Sequence, residues 1–218
     1  MIISRARRFI FVHIPKTGGT AFTLGYEGRA GRDDILIGDT PKARQRAGRW
    51  KGVKTAGRVW KHSTLADVVG LVTAAEIEQF QTVTLVRNPW DRLVSYYHWL
   101  RVQGFANPAV GLSKALDFHG FLNHPQTMTA VRLWPYGAYV RRGDGTEKPS
   151  IFIRLEHYTD DAAPVEAHLG FRLPLRLANE SDRERDWRRY YSQADAELVG
   201  ELCREDIARF GYTFDPVP

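Results

Sequence analysis

The chain has 218 residues, enough for about one and a half average domains. Hydrophobic residues make up 43% and charged residues 26%, which excludes a chain that is mainly disordered, collagen-like or a disulfide scaffold. Lysine plus arginine outnumber aspartate plus glutamate 31 to 25, a formal charge of +6. That excess fits a solvated surface or an anionic partner and does not choose between them. The one cysteine, Cys203, rules out an intrachain disulfide and reads as a small core residue on a late amphipathic helix. The apolar run Phe9–Ile14 is too short for a signal-peptide core and lacks a small-residue cleavage site, so a soluble, cytoplasmic protein with no transmembrane segment is expected.

In chain order, Arg8 to Ile14 is a continuous run of aromatic and β-branched residues, the pattern of a strand buried on both faces. It stops at Pro15, and Gly18 and Gly19 precede a helix start at Thr20, giving strand, tight turn, helix. Residues 28–54 are polar, basic and glycine-rich and read as a surface excursion. Thr64 with Asp67, and Thr73 with Glu76, have the spacing of capping boxes, the second opening a helix that ends near Phe80. Thr82 to Arg87 is a second buried strand stopped by Asn88-Pro89, and the following segment is a helix with Asp91 as its N-cap and Leu93, Tyr97 and Leu100 on one face.

Residues 104–145, rich in His, Trp and Tyr, read as helical inserts and loops. A third strand starts at Ser150, and a short helix spans 160–168 with Gly170 as its stop. Ser192 with Asp195 opens a last helix whose apolar stripe is Leu198, Val199, Leu202, Ile207 and Phe210, stopped by Gly211. Alternating strands and helices predict one three-layer, P-loop-like α/β domain over residues 1–218, with a mainly parallel sheet and irregular inserts at about 28–54 and 104–145. Ligands in such folds bind at the C-terminal ends of strands, which draws attention to the turns after Ile14 and after Arg87.

The first of these, Pro15-Lys16-Thr17-Gly18-Gly19-Thr20, has the parts of an oxyanion cradle. Glycines let backbone N–H groups converge, the helix start adds partial positive charge, Lys16 a full one, and Thr17 and Thr20 hydroxyl donors. It is not a Walker A motif, because the lysine precedes the glycines, and no G-x-G-x-x-G is present. At the second, Arg87 at a strand exit and Ser95 one helical turn into the next helix can grip another anion from two sides.

Three segments together, HIPKTGGT, KHSTL and LVRNPWDRLVSYY, resemble the sulfotransferases that use 3′-phosphoadenosine 5′-phosphosulfate (PAPS), in particular the carbohydrate branch that includes the heparan sulfate 2-O-sulfotransferases and their bacterial relatives. The ending, LANESDRERDWRRYYS followed by an amphipathic helix and FGYTF, is similar to that branch too. The resemblance implies sulfuryl transfer from PAPS to an acceptor hydroxyl, on a carbohydrate, leaving adenosine 3′,5′-bisphosphate. It assigns Lys16, Thr17, Gly18, Gly19 and Thr20 to the 5′-phosphosulfate, Arg87 and Ser95 to the 3′-phosphate, and Asn179 and Ser181 to closing over the nucleotide. It makes a mid-chain histidine the general base, here His62, with a nearby carboxylate as the alternative, while Lys16 stabilises the leaving phosphate.

Sulfuryl transfer relies on positioning and charge, and the sequence offers no carboxylate pair for magnesium and no zinc motif, so no metal is expected. Two other readings compete. A P-loop-like nucleotide kinase shares the fold logic but needs a Walker lysine and magnesium ligands. A non-catalytic binding module for nucleic acid or anionic glycan fits the charge but has no use for a glycine cradle. The sulfotransferase reading predicts no nucleic-acid partner. Trp134, Tyr136 and Tyr139 are either sugar-stacking residues or core, and Arg141 and Arg142 either hold an acidic glycan or are solvated.

Overall fold

A computed structural model describes residues 1–175 and 183–215. The elements begin with β1 (Ile2–Ser4), β2 (Phe9–Val12), α1 (Gly19–Glu27), β3 (Ile35–Leu36), α2 (Pro41–Gln45), α3 (Ala74–Gln79), β4 (Gln81–Val86) and α4 (Pro89–Arg101). They continue with α5 (Pro108–Ala115), α6 (Phe118–Leu122), α7 (Pro125–Leu133), β5 (Ile151–Arg154), α8 (Tyr158–Asp161), α9 (Ala163–Leu169), α10 (Gln193–Leu202) and α11 (Arg204–Phe210). The chain divides into two compact units, Met1–Val86 with residues 136–175, and residues 87–135 with 183–215.

The first unit holds a five-stranded sheet in the order β3-β1-β2-β4-β5. β2 pairs in parallel with β4, from Phe9↔Gln81 to Val12↔Thr84, and β4 in parallel with β5. β1 runs antiparallel to both β2 and β3, so four of the five strands point one way. The continuous apolar runs are buried on both faces: Phe9, Ile10, Phe11 and Val12 are fully enclosed, as are Val83, Leu85 and Val86. On one face Phe11 stacks on Phe22 of α1 with ring centroids 4.1 Å apart, and Phe9 stacks on Tyr26 at 5.8 Å. The Thr84 hydroxyl donates to the Val12 carbonyl at 2.8 Å, which pins the neighbouring C-terminal ends of β2 and β4 together.

The short strands β1 and β3 are additions to the sequence reading. Residues 28–54 are therefore not a bare surface excursion: Ile35, Leu36 and Ile37 are buried in or beside the sheet edge. Thr73 and Glu76 form the expected reciprocal capping box of α3. Thr64 and Asp67 exchange the same bonds, the Thr64 N–H donating to Asp67 at 2.8 Å and the Asp67 N–H to the Thr64 hydroxyl at 3.2 Å, but around a turn that does not continue as a helix. The helix placed at 160–168 is two helices, α8 and α9, and Gly170 ends the second in the left-handed conformation at φ 75°.

The described residues of the second unit are helical and irregular, as the middle of the sequence suggests. α4 is capped by Asn88, whose side chain accepts from the Trp90 N–H at 3.1 Å, not by Asp91. Pro89 fits behind that cap because the first helical position needs no N–H partner. The Trp90 indole donates to the Ala196 carbonyl at 2.9 Å, and the Tyr191 hydroxyl donates to the Trp90 carbonyl at 2.8 Å, fastening α10 and its approach to α4. The Ser192–Asp195 capping box forms, but the last helix breaks at Cys203 into α10 and α11. Burial pushes the Cys203 thiol up to about 12, so it is an inert packing residue. No helix among the described residues is long and apolar enough to cross a membrane.

Candidate functional site

In the first unit β2 ends at Val12, and the chain turns back into α1 through residues 13–18. Two residues of this turn have positive φ, Lys16 at 66° and Gly18 at 90°, an alternation that turns successive N–H groups towards one concavity. Gly18 is the N-cap of α1 and offers no side-chain acceptor, so the first amides of α1 are left for an outside partner. The glycines are required by contact as well as by conformation. A Cβ on Gly18 meets Leu155 Cδ1 at 2.8 Å, and one on Gly19 falls 2.2 Å from His13 Cδ2. Backbone with this alternation of conformation, and with a lysine in it, is a candidate anion cradle, and its two glycines are needed because a side chain at either would collide with Leu155 or His13.

Thr17 has a different task from the one its sequence position suggested. It is fully buried, and its hydroxyl donates to the Ile14 carbonyl at 2.9 Å. It is a staple across the turn, and only its amide remains for a ligand. Thr20 sits half-buried at the second position of α1.

His13 is a buried residue, as its place on the apolar run implied, and it links the cradle to His62. Its ring lies under Gly19, its ring centroid is 4.7 Å from that of His62, and its carbonyl oxygen is 2.8 Å from His62 Nδ1. A carbonyl only accepts, so Nδ1 carries the hydrogen and Nε2 keeps its lone pair. Desolvation pulls the His62 pKa down to about 3, opposed by the bond to the His13 carbonyl and helped by the positive charge of Lys61. Burial holds His13 well below the ordinary histidine value too, with His62 as the next cause. Both rings are neutral near pH 7, and His62 is a base candidate with a fixed tautomer. The bond that positions it spans 49 residues, which sequence spacing does not reveal.

In the second unit Arg87 immediately precedes the α4 cap. Its Nε and Nη2 both donate to Asp91 Oδ2, at 2.8 and 2.6 Å. The other carboxylate oxygen of Asp91 accepts from Arg183 Nη2 at 2.6 Å. One carboxylate thus holds two guanidinium groups, all three side chains being 12–17% exposed. Arg183 Nη1 is buried with no hydrogen-bond partner, a donor whose satisfaction an anion would supply. Ser95, four residues after Asp91 and so on the same helix face, is 4% exposed. It lies about two turns into α4, deeper than the single turn read from sequence.

Asp91 and Arg183 are the residues that sequence reasoning missed. Asp91 looked like a cap, and Arg183 sits 92 positions away in chain order. Asn179 and Ser181 lie outside the described residues. Of the aromatics weighed for sugar stacking, Tyr136 and Tyr139 are core, at 0% and 7% exposure, while Trp134 is exposed. Arg142 is taken up by Glu78, with Nη2 to Oε2 at 2.9 Å.

The Asp91 cluster makes a direct prediction. In Asp91→Asn two largely buried guanidinium groups lose the carboxylate they share, and we expect a loss of about 3 kcal/mol in stability. Chemical denaturation measures it, and a change under 0.5 kcal/mol refutes the hub.

These features define a class of fold: a parallel-based α/β sheet whose first parallel strand leads through a glycine cradle into a helix. No protein-family model and no curated protein matches the sequence. Among solved structures the protein is similar to the crystal structure of mouse sulfotransferase SULT7A1 complexed with PAP, with a TM-score of 0.52 and 16% identity over 91% of this chain and 83% of that one. At that identity the likeness establishes a shared fold, in agreement with the three-layer α/β reading.

Proposed function

We propose that the protein is a PAPS-dependent sulfotransferase that transfers a sulfuryl group to an acceptor hydroxyl on a carbohydrate, in the cytoplasm. The observation that carries this reading is the linkage at one end of the sheet: a lysine-bearing glycine cradle packed on His13, which in turn fixes His62 with Nε2 free to take a proton. The fold it shares with a sulfotransferase complexed with PAP, and the motifs that resemble that family, support it.

The donor supplies an activated sulfuryl group joined to a phosphate. The Lys16 ammonium and the amides of Thr17 to Thr20 hold the 5′-phosphosulfate, and Lys16 neutralises the charge that grows on the departing phosphate oxygen. Arg87 and Ser95, and by the resemblance Asn179 and Ser181, serve the nucleotide's remaining groups, above all the 3′-phosphate. His62 Nε2 takes the acceptor's hydroxyl proton as the new S–O bond forms. A moving group of lower charge than a phosphoryl group asks less of a metal, and no metal has a role in the proposal.

A thermal-shift titration tests it. Adenosine 3′,5′-bisphosphate at 100 times its dissociation constant should stabilise the protein by about 2.7 kcal/mol, and ATP with magnesium should not. Stabilisation by ATP with magnesium alone establishes the kinase reading instead, and stabilisation only by oligonucleotides establishes the binding module.

A further inference from the structure

Gly211 closes α11 in the left-handed conformation, at φ 67°, and residues 213 and 214 lie against the start of α4. Asn88, the cap of α4, is used at both ends of its side-chain amide. Its Oδ1 accepts from the Trp90 N–H at 3.1 Å, and its Nδ2 donates to the Thr213 carbonyl at 3.0 Å. The next carbonyl, that of Phe214, accepts from Arg188 Nε at 2.8 Å. Two successive carbonyls of this segment are therefore held by side chains from two other stretches of the second unit.

The Phe214 ring completes the attachment. It is half-buried and meets Trp90, Trp187 and Tyr191 edge to face, with centroids at 5.6, 5.3 and 5.6 Å. Edge-to-face contact sets the positive rim of one ring against the negative face of another, so such a box favours one arrangement of its walls. Those walls belong to the two segments that carry the Asp91 cluster. Trp90 directly precedes Asp91, and Trp187 opens a 3-10 turn, Trp187–Tyr190, a few residues after Arg183. The walls are also tied to one another. The Tyr191 hydroxyl donates to the Trp90 carbonyl at 2.8 Å, and the Arg188 guanidinium lies 4.2 Å from the Trp187 centroid.

The Asp91 carboxylate gathers Arg87 and Arg183, but long side chains keep their aim only when the backbones that carry them are fixed. Phe214 joins those two backbones, and Asn88 locks the joint to the residue that follows Arg87. The buried Arg183 Nη1, with no hydrogen-bond partner, is the group whose aim depends on this support. We infer that Phe214 and Asn88 are positioning residues of the donor site, which hold Arg87 and Arg183 in place for the 3′-phosphate. They act through the Arg87–Asp91–Arg183 cluster. This rests on the sulfotransferase reading above and adds residues 213 and 214 to the support of the same site.

The test measures binding of adenosine 3′,5′-bisphosphate and of adenosine 5′-phosphate, which lacks the 3′-phosphate, to the full chain by calorimetry. Phe214→Ala should weaken the bisphosphate about tenfold and the monophosphate less than about twofold, because only the first ligand uses the cluster. Phe214→Tyr, which keeps the ring, should stay within about threefold of the unmodified protein for both. Asn88→Ser keeps a capping hydroxyl but is too short to reach Thr213, and it should weaken the bisphosphate alone, by about threefold to fivefold. Arg87→Ala should remove most of the preference for the bisphosphate, and Phe214→Ala added to it should change binding by less than about twofold further. In turnover, the donor KM of Phe214→Ala should rise about tenfold while kcat changes less than about threefold.

An equal loss for both nucleotides in Phe214→Ala makes the ring a purely structural one and overturns the inference, as does no loss for either. If Phe214→Ala does not fold, Asn88→Ser decides alone, and an unchanged preference for the bisphosphate in that variant overturns the inference. An unmodified protein that binds both nucleotides equally, or neither, overturns the donor reading and this inference with it. A clear preference in the unmodified protein that the Phe214 and Asn88 variants retain overturns the positioning role and leaves the donor reading standing.

Discussion

Gly19→Ala should abolish most of the activity while leaving a folded protein. The added methyl would sit 2.2 Å from His13 Cδ2 and 2.5 Å from Nε2, closer than Cβ atoms approach anything. His13 cannot simply swing away. It is 7% exposed, lies between Phe11 and His62 with ring centroids at 6.0 and 4.7 Å, and its carbonyl holds His62. Either the start of α1 lifts, opening the cradle, or His13 shifts and takes the base with it. Overpacking of this kind costs about 1–3 kcal/mol in stability, and a displacement of about 1 Å at reacting groups costs about 100-fold in rate.

Gly28→Ala is the control. Gly28 ends the same helix at an ordinary φ of −63°, and its nearest potential clash is at 3.9 Å, so the change should stay within about 0.5 kcal/mol and leave turnover intact. Thermal unfolding and steady-state sulfuryl transfer measured side by side decide the matter. A Gly19→Ala enzyme with normal turnover removes the cradle from the mechanism.

The parts of this architecture that the sequence made legible are those whose causes are local. β2, its turn and α1 are consecutive, so a β-branched run, a glycine pair and a helix start declare themselves within about twenty residues. The Thr73–Glu76 and Ser192–Asp195 boxes are reciprocal bonds across three residues and were visible for the same reason. β1 and β3 escaped because strands of three and two residues have no measurable period, and their stability comes from partners remote in the chain. The break at Cys203 involves neither glycine nor proline. Its one trace is a slip in the apolar stripe, where Leu202 and Ile207 are five apart and no longer share a face.

The site divides in the same way. Lys16 and the glycines stand out in the sequence because a βα turn is a local motif, and Arg87 because it follows a buried strand. Thr17 looked like a ligand by composition, but its hydroxyl is consumed by Ile14 three residues back. Asp91 was read as a cap because aspartate near a helix start commonly caps. Asn88 takes that task, which leaves the Asp91 carboxylate to gather Arg87 and Arg183. No spacing rule connects residues 91 and 183. The function of an acidic residue at a helix start therefore depends on which cations the rest of the chain brings to it.

His62 carries the second large expectation. Its Nδ1 hydrogen is committed to the His13 carbonyl, so the lone pair on Nε2 is fixed for an incoming hydroxyl proton. Burial and the charge of Lys61 keep the ring neutral down to about pH 3, which makes it ready at every working pH but only weakly basic in the resting enzyme. Its contribution comes in the transition state, as the acceptor oxygen bonds to sulfur and its hydrogen becomes acidic. Replacing it by Gln should lower kcat by about 100- to 10,000-fold while bisphosphate affinity stays the same. Lys16→Ala, which touches the donor itself, should lose both. The pH profile separates this histidine from a solvent-exposed one. A base must be unprotonated to act, and a lowered pKa moves the acid limb down, so kcat/KM should stay flat from pH 8 to pH 5 instead of falling through 6.5. A limb near 6.5 in the unmodified enzyme that disappears in His62→Gln means the ring titrates in water and is not held against His13. Full turnover in His62→Gln passes the role of base to another residue.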